Sequence, residues 1–247
     1  MNETADIVIV GAGAAGAAFA WRLAGSGLKV VCIERGGWVD QRNSPSLSDG
    51  WELALQTSFH GNPNIRRGPA DHPVDDAKSA IKPSFFTAVG GSTVRWGAHF
   101  PRLRPSDFRV RSLDGVGADW PISYRDLEPY YDINDRVMGV SGLAGDPANP
   151  PRRTRACPPL PLDAATTRLA AAFDRLGWHW WPSDSAILSA PVGGGRAGCN
   201  NCGPCGVGCS RHARASTDIT YWPDTLKRGV RLVTETVVTG IEVDAAR

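Results

Sequence analysis

Hydrophobic positions change their spacing from one stretch of this chain to the next. Asp6-Ile-Val-Ile-Val10 is a short β-branched run, the pattern of a strand covered on both faces of a parallel sheet. A glycine-rich turn follows, and then Ala14–Leu23, alanine-rich and helical by propensity. Gly25-Ser26-Gly27 ends that helix, and Lys29–Ile33 is a second apolar strand closing at Glu34, which completes a βαβ unit. From Gly36 to Ser84 the periodicity fades into Pro, Gly, Asn, Asp and Ser, with Trp38, Trp51 and Phe59 as anchors, and predicts a long, partly ordered surface excursion.

Regular spacing returns at Ile122–Val140. Ser123 stands at a capping position with Asp126 three residues on, and Leu127, Tyr130, Tyr131, Ile133 and Val137 recur at helical intervals. A Pro-rich connector, Pro147–Pro161, separates this helix from another at Ala164–Leu176 and predicts a subdomain boundary. A strand pair is expected between Trp178 and Pro191, before the tract Gly193-Gly-Gly195. Asp218–Arg228 reads as a helix, and Val230–Val243 as a strand by its β-branching. These signals divide the chain at 1–40, 41–110, 111–195, 196–217 and 218–247.

The turn after the first strand is Gly11-Ala-Gly13-Ala14-Ala15-Gly16, a G-x-G-x-x-G sequence in the context that gives it meaning, with a strand before, a helix after and an acid closing the next strand. Gly11 permits the tight turn, Gly13 lets backbone approach a pyrophosphate, and Gly16 lets the helix lie close to the sheet. The helix start presents N–H groups and positive dipole to phosphate. Glu34 can accept hydrogen bonds from ribose hydroxyls and would repel a 2′-phosphate, which argues against NADP. The motif alone does not separate FAD from NAD.

Composition narrows the classes. The 247 residues are 42% apolar, enough for a sizeable core, and 27 basic against 25 acidic residues leave a net charge of +2. Apart from Arg152, Arg153 and Arg155 the basic residues are scattered, which argues against nucleic acid. No apolar run reaches the ~18 residues of a membrane span. The first residues show no export signal, so cytoplasm is the default location, with the periplasm reached only alongside an exported partner.

Three stretches in order resemble the glucose-methanol-choline oxidoreductases. Asp6–Arg35 is similar to their N-terminal FAD loop, and Val89-Gly90-Gly91-Ser92-Thr93-Val-Arg95-Trp96-Gly97 to their Gly-Gly-Ser signature. Asp119-Trp-Pro-Ile-Ser-Tyr-Arg-Asp-Leu-Glu-Pro-Tyr-Tyr131 resembles an element of the gluconate, fructose and pyranose dehydrogenase branch. The resemblance implies a Rossmann-like α/β FAD domain with part of a substrate domain. It also implies hydride transfer from a CH–OH group of a sugar, sugar acid, polyol or alcohol to flavin N5, with electrons passing to an external acceptor. Expected FAD contacts are Gly11, Gly13, Ala14, Ala15, Gly16, Glu34, Arg35, Gly90, Gly91, Ser92, Thr93, Trp96, Gly97 and Val238. Arg95 stands where some relatives carry a flavin-linked histidine, so the flavin is expected to be held non-covalently, with Arg95 near the ring, in solvent or paired to a carboxylate.

Cys199, Cys202, Cys205 and Cys209 follow C-x2-C-x2-C-x3-C, with Gly203, Gly206 and Gly208 to wrap the backbone. This spacing fits an iron–sulfur cluster, and the resemblance implies that it sits in a cysteine-rich insertion; zinc, local disulfides and structural thiols are the alternatives. An alcohol oxidase without a cluster, or a non-catalytic nucleotide-binding module with structural zinc, would fit the same residues. Cys32 reads as a core residue, and Ser216 and Thr217 as helix caps. None of the five histidines stands in a pattern that marks a catalytic base. In the family the histidine that takes the alcohol proton lies near the C-terminus of a longer chain. This chain therefore reads as an N-terminal part or one half of an enzyme, with a small subunit, a complementary half or a cytochrome acceptor as partners.

Overall fold

A computed structural model describes residues 4–152, 155–192 and 195–243; Arg153, Gly193 and Gly194 lie outside them. The chain divides into two compact units. The first comprises residues 1–97, 202–212 and 216–247, and the second 98–201 and 213–215. The boundary falls at Gly97 rather than at 110, and the cysteine run, read in sequence as one segment, is divided after Asn201.

The first unit is built on a parallel three-stranded sheet in the order β1 (Ile7–Val10), β2 (Val30–Ile33), β3 (Arg231–Val233). Ile7 pairs with Val30, and Val31 with Arg231. Helix α1 (Ala14–Leu23) makes the β1-to-β2 crossover and covers the face that carries Ile9. The other face of β1 is open, with Val8 and Val10 each 56% exposed. The expectation of a strand buried on both faces is therefore corrected: β-branching marks a strand, but only packed elements cover it.

Helix α7 (Tyr221–Lys227) packs on α1. Trp21 meets Tyr221 edge-on at 5.7 Å, and its indole N–H donates to Asp224 at 2.8 Å. Trp222 is fully buried and donates to the Ala12 carbonyl at 2.9 Å, so α7 is pinned to the glycine loop itself. Short helices α2 (Trp51–Gln56) and α3 (Pro63–Arg66) give order to the long excursion. The extended strand expected over Val230–Val243 is realised only as β3. Beyond Val233 the described residues pair with no strand: Glu235 takes φ +54°, and the Glu235 and Thr236 N–H groups donate to the Gly36 and Glu34 carbonyls, past the end of β2, so β-branching alone does not prolong the strand.

The second unit contains α4 (Val110–Asp114), α5 (Tyr124–Met138) and α6 (Ala164–Leu176). Ser123 and Asp126 form the expected capping box of α5, and Asp163 caps α6 through the Thr166 N–H at 2.7 Å. No strand pair forms between Trp178 and Pro191. Residues 184–188 instead make one extended run bonded to three distant segments: Asp184 and Ala186 to 98–100, Ser185 to Ser141, and Ala186 and Leu188 to 213–215. The β-rich signal is real, but its partners lie far away in sequence.

Candidate functional site

The site forms where the two glycine signatures meet in the first unit. Gly11 takes φ +94°, and a Cβ at Gly16 would stand 1.9 Å from the Gly11 carbonyl oxygen, so both glycines are required by the turn and by the approach of α1. Gly13 is the N-cap of α1. No side chain caps this end and no acid stands in the first turn, so the N–H groups of Ala14, Ala15 and Gly16 begin the helix without a carboxylate competitor.

The Gly-Gly-Ser loop closes over this end. The Gly90 N–H donates to the Ala12 carbonyl at 3.0 Å, and the Gly91 Cα side lies so near Gly13 that a Cβ would come within 2.9 Å of its Cα. Residues Gly91–Arg95 form a 3-10 turn. The Thr93 hydroxyl donates to the Gly90 carbonyl at 2.6 Å and accepts the Thr217 N–H at 3.0 Å. Ser216 and Thr217 are therefore buried ties to the excursion and to the signature loop. They are not caps, since α7 starts at Tyr221 with Thr220 before it.

Glu34 is buried. One carboxylate oxygen accepts the Ala12 N–H at 2.7 Å and the other the Gly36 N–H at 2.8 Å. The acid expected to meet a ribose thus also braces the glycine turn. Between the loops lies a cavity of about 450 Å³ whose wall includes Gly13, Ala14, Glu34, Arg35, Gly91, Ser92 and Thr93. Gly11, Ala15, Gly16 and Gly90 belong to the two loops but are not in its wall. Trp96, Gly97 and Val238 are not in its wall; Val238 sits in the irregular stretch after β3.

Four wall residues carry no motif: His72, Phe86, Thr87 and Ala88. Arg35 Nη1 contacts His72 Nδ1. The Thr87 hydroxyl donates to Asp71 at 3.4 Å, and Asp71, next to His72 in the chain, belongs to an ion pair inside the excursion. Arg66 grips Asp71 through two nitrogens at 2.8 and 2.5 Å, with both side chains about 95% buried, and also donates to the His60 and Phe85 carbonyls at 2.7 and 3.0 Å. Burial alone would raise the Asp71 carboxyl, but hydrogen bonds from Arg66 and the Gly68 N–H, with the Arg66 charge, hold it below the ordinary carboxylate range. The only sequence hint of these residues is that Thr87 and Ala88 directly precede the signature.

Arg95 is placed by aromatic rings: its guanidinium lies 3.2 Å from the Phe59 centroid and 4.0 Å from that of Phe86. Cys205–Val207 form a 3-10 turn in the first unit, Cys202 is exposed, and Cys199 belongs to the second unit. Among the described residues no three His, Cys, Asp or Glu side chains are grouped to hold a metal ion, and no disulfide is formed.

A family model for FAD-dependent oxidoreductases matches residues 6–56. The chain is 37% identical over 235 residues to 2-methyl-1,2-propanediol dehydrogenase of Mycolicibacterium austroafricanum, covering 94% of this chain and 42% of that protein. The chain belongs to the glucose-methanol-choline oxidoreductase family. The fructose dehydrogenase large subunit of Gluconobacter japonicus is 28% identical over 274 residues, covering 99% of this chain and 48% of that one. The chain thus spans about half the length of these curated relatives or less. Pyridoxine 4-oxidase from Mesorbium loti has the same fold, with a TM-score of 0.55, 18% identity and coverage of 94% of this chain and 42% of that one. The first unit is accordingly a Rossmann-like FAD-binding domain. The residues around the cavity between the glycine loops fit that cofactor: an uncapped helix start, glycines where backbone must come close, and a buried acid beside the turn. No described helix is long and apolar enough to cross a membrane.

Proposed function

We propose that this chain supplies the FAD-holding part of an oxidoreductase acting on the CH–OH group of a polyol, sugar or related alcohol, with the cavity between the glycine loops as the cofactor site. The observation that carries the reading is the joining of two separate glycine signatures around one cavity with Glu34 in its wall. Bound FAD would supply a two-electron acceptor for hydride. The chain's own residues hold it: the first-turn N–H groups of α1 for the pyrophosphate, Glu34 and Arg35 toward the ribose end, and Gly91, Ser92 and Thr93 as the opposite wall. The similarity to a diol dehydrogenase and to a fructose dehydrogenase large subunit supports a hydroxylated substrate, and the second supports a partner subunit.

A cluster relay through Cys199, Cys202, Cys205 and Cys209 agrees with their spacing, but the described thiols are not gathered around one ion. The deciding test is an absorption spectrum of the anaerobically purified chain with iron and zinc analysis of the same sample. Stoichiometric, acid-releasable flavin is expected; a colourless chain that takes up no added FAD would overturn the reading.

A further inference from the structure

We propose that a cavity in the second unit binds a small organic anion, a carboxylate or phosphate on a compact carbon skeleton. The cavity measures about 330 Å³, at the lower end of small-molecule sites. Its wall carries part of an alternating chain of buried charges. Arg102 donates to Asp132 at 2.7 Å and to Asp135 at 2.5 Å. Arg155 lies 3.5 Å from Asp135 and gives two nitrogens to Asp184, at 2.9 and 2.7 Å; Arg152 donates to Asp184 as well. Three guanidinium groups thus face three carboxylates. A buried network of this kind adds little stability over apolar packing, but it holds its donors in place before a ligand arrives. Gly142 is part of the arrangement, because a Cβ there would stand 2.1 Å from Asp184 Oδ1 and drive that carboxylate away.

Hydrogen-bond valence selects the ligand. Both oxygens of Asp184 are taken by arginine. Asp146 accepts from the Ala148 N–H at 3.0 Å, Asn149 at 2.6 Å and His179 at 2.9 Å. Each of these lining carboxylates already accepts three hydrogen bonds, which leaves about one acceptor position apiece for ligand hydroxyls. Cationic donors remain: Arg152 Nε is buried without a hydrogen-bond partner, and exposed Arg104 lines the cavity without engaging either aspartate. Negative acceptors satisfy these groups best, because a hydrogen bond with charge on both partners is about twice as strong as one between neutral groups. Trp180 and Trp181 supply the surface for its skeleton. Their indole N–H groups are already bonded, to Asp174 at 2.8 Å and to the Leu143 carbonyl at 2.9 Å, so they offer the ligand only ring surface.

The test is calorimetry and tryptophan fluorescence on the whole chain, with and without FAD, titrated with gluconate, glucose 6-phosphate and neutral glucose. Saturable binding of at least one anion is expected, with glucose weaker by about tenfold or more, and gluconate against glucose 6-phosphate tells carboxylate from phosphate. Arg104 is exposed, so Arg104→Ala should leave circular dichroism unchanged and weaken the anion by about tenfold. Glucose binding as tightly as the anions, no saturation by either anion, or an Arg104→Ala chain with parental affinity would each overturn the proposal. It does not rest on the flavin reading, and equal anion affinities with and without FAD keep the two separable.

Discussion

Replacing Gly91 by alanine asks whether the two glycine signatures are one structural element. The residue sits at φ +55°, and an added Cβ would lie 2.9 Å from the Gly13 Cα. The left-handed conformation costs an L-residue about 1–2 kcal/mol. Crowding a backbone atom that cannot rotate aside adds about 1–3 kcal/mol. The sum, about 2–5 kcal/mol, is a large part of the stability of a typical domain. Two companion variants separate folding from binding. In Gly13→Ala the backbone is at φ −71° and the nearest neighbour of the new Cβ is at 3.9 Å, so stability should stay within about 0.5 kcal/mol of the parent. Its methyl enters the cavity between the loops, however, and FAD affinity should fall by about tenfold or more. Gly97→Ala meets nothing within 4 Å and should change neither property. Urea denaturation of the FAD-free chain gives the stabilities, and quenching of flavin fluorescence the affinities. A Gly91→Ala chain as stable as the Gly97→Ala control would refute the contact between the loops. A Gly13→Ala chain that binds FAD like the parent would refute the placement of the cofactor.

Because the Asp71 carboxyl is held below its unfolded value, its stabilisation should be complete above the unfolded range of about 3.9 and fade as pH falls through the lower folded value. Asp71→Asn leaves Arg66 buried without its counter-ion and should cost about 3 kcal/mol at neutral pH; a difference from the parent that fails to narrow in acid would refute that account. The Cys32 thiol is pushed up to about 12 by burial and by the Glu34 charge, so it should resist a thiol-labelling reagent in the folded chain while exposed Cys202 reacts. Equal labelling rates for the two would show that the sheet does not shield Cys32.

The βαβ unit, the capped helix α5 and the pairing of a glycine loop with a terminal acid are all legible in the order of residues. The periods, the cap and the left-handed turn are decided by residues within about one turn of each other, and the acid is legible because it closes the strand that the crossover helix brings beside the first. The same is true of α6, whose Asp163 cap and Gly177 end bracket an alanine-rich run. Contacts between residues far apart in the chain have no such signature. The extended run 184–188 finds its partners near 98, 141 and 213, and Thr234–Val243 stays irregular because no described strand pairs with it. Folding in three dimensions brings His72, Phe86 and Thr87 into the cavity wall, with Thr87 bonded to the Arg66–Asp71 pair inside an excursion that the sequence predicts only as partly ordered surface. It also makes Ser216 and Thr217 ties rather than caps, and gathers three arginines with three aspartates in the second unit. Loop closure and buried charge pairing depend on which distant groups can satisfy one another once water is excluded, and no periodicity in the chain records that choice.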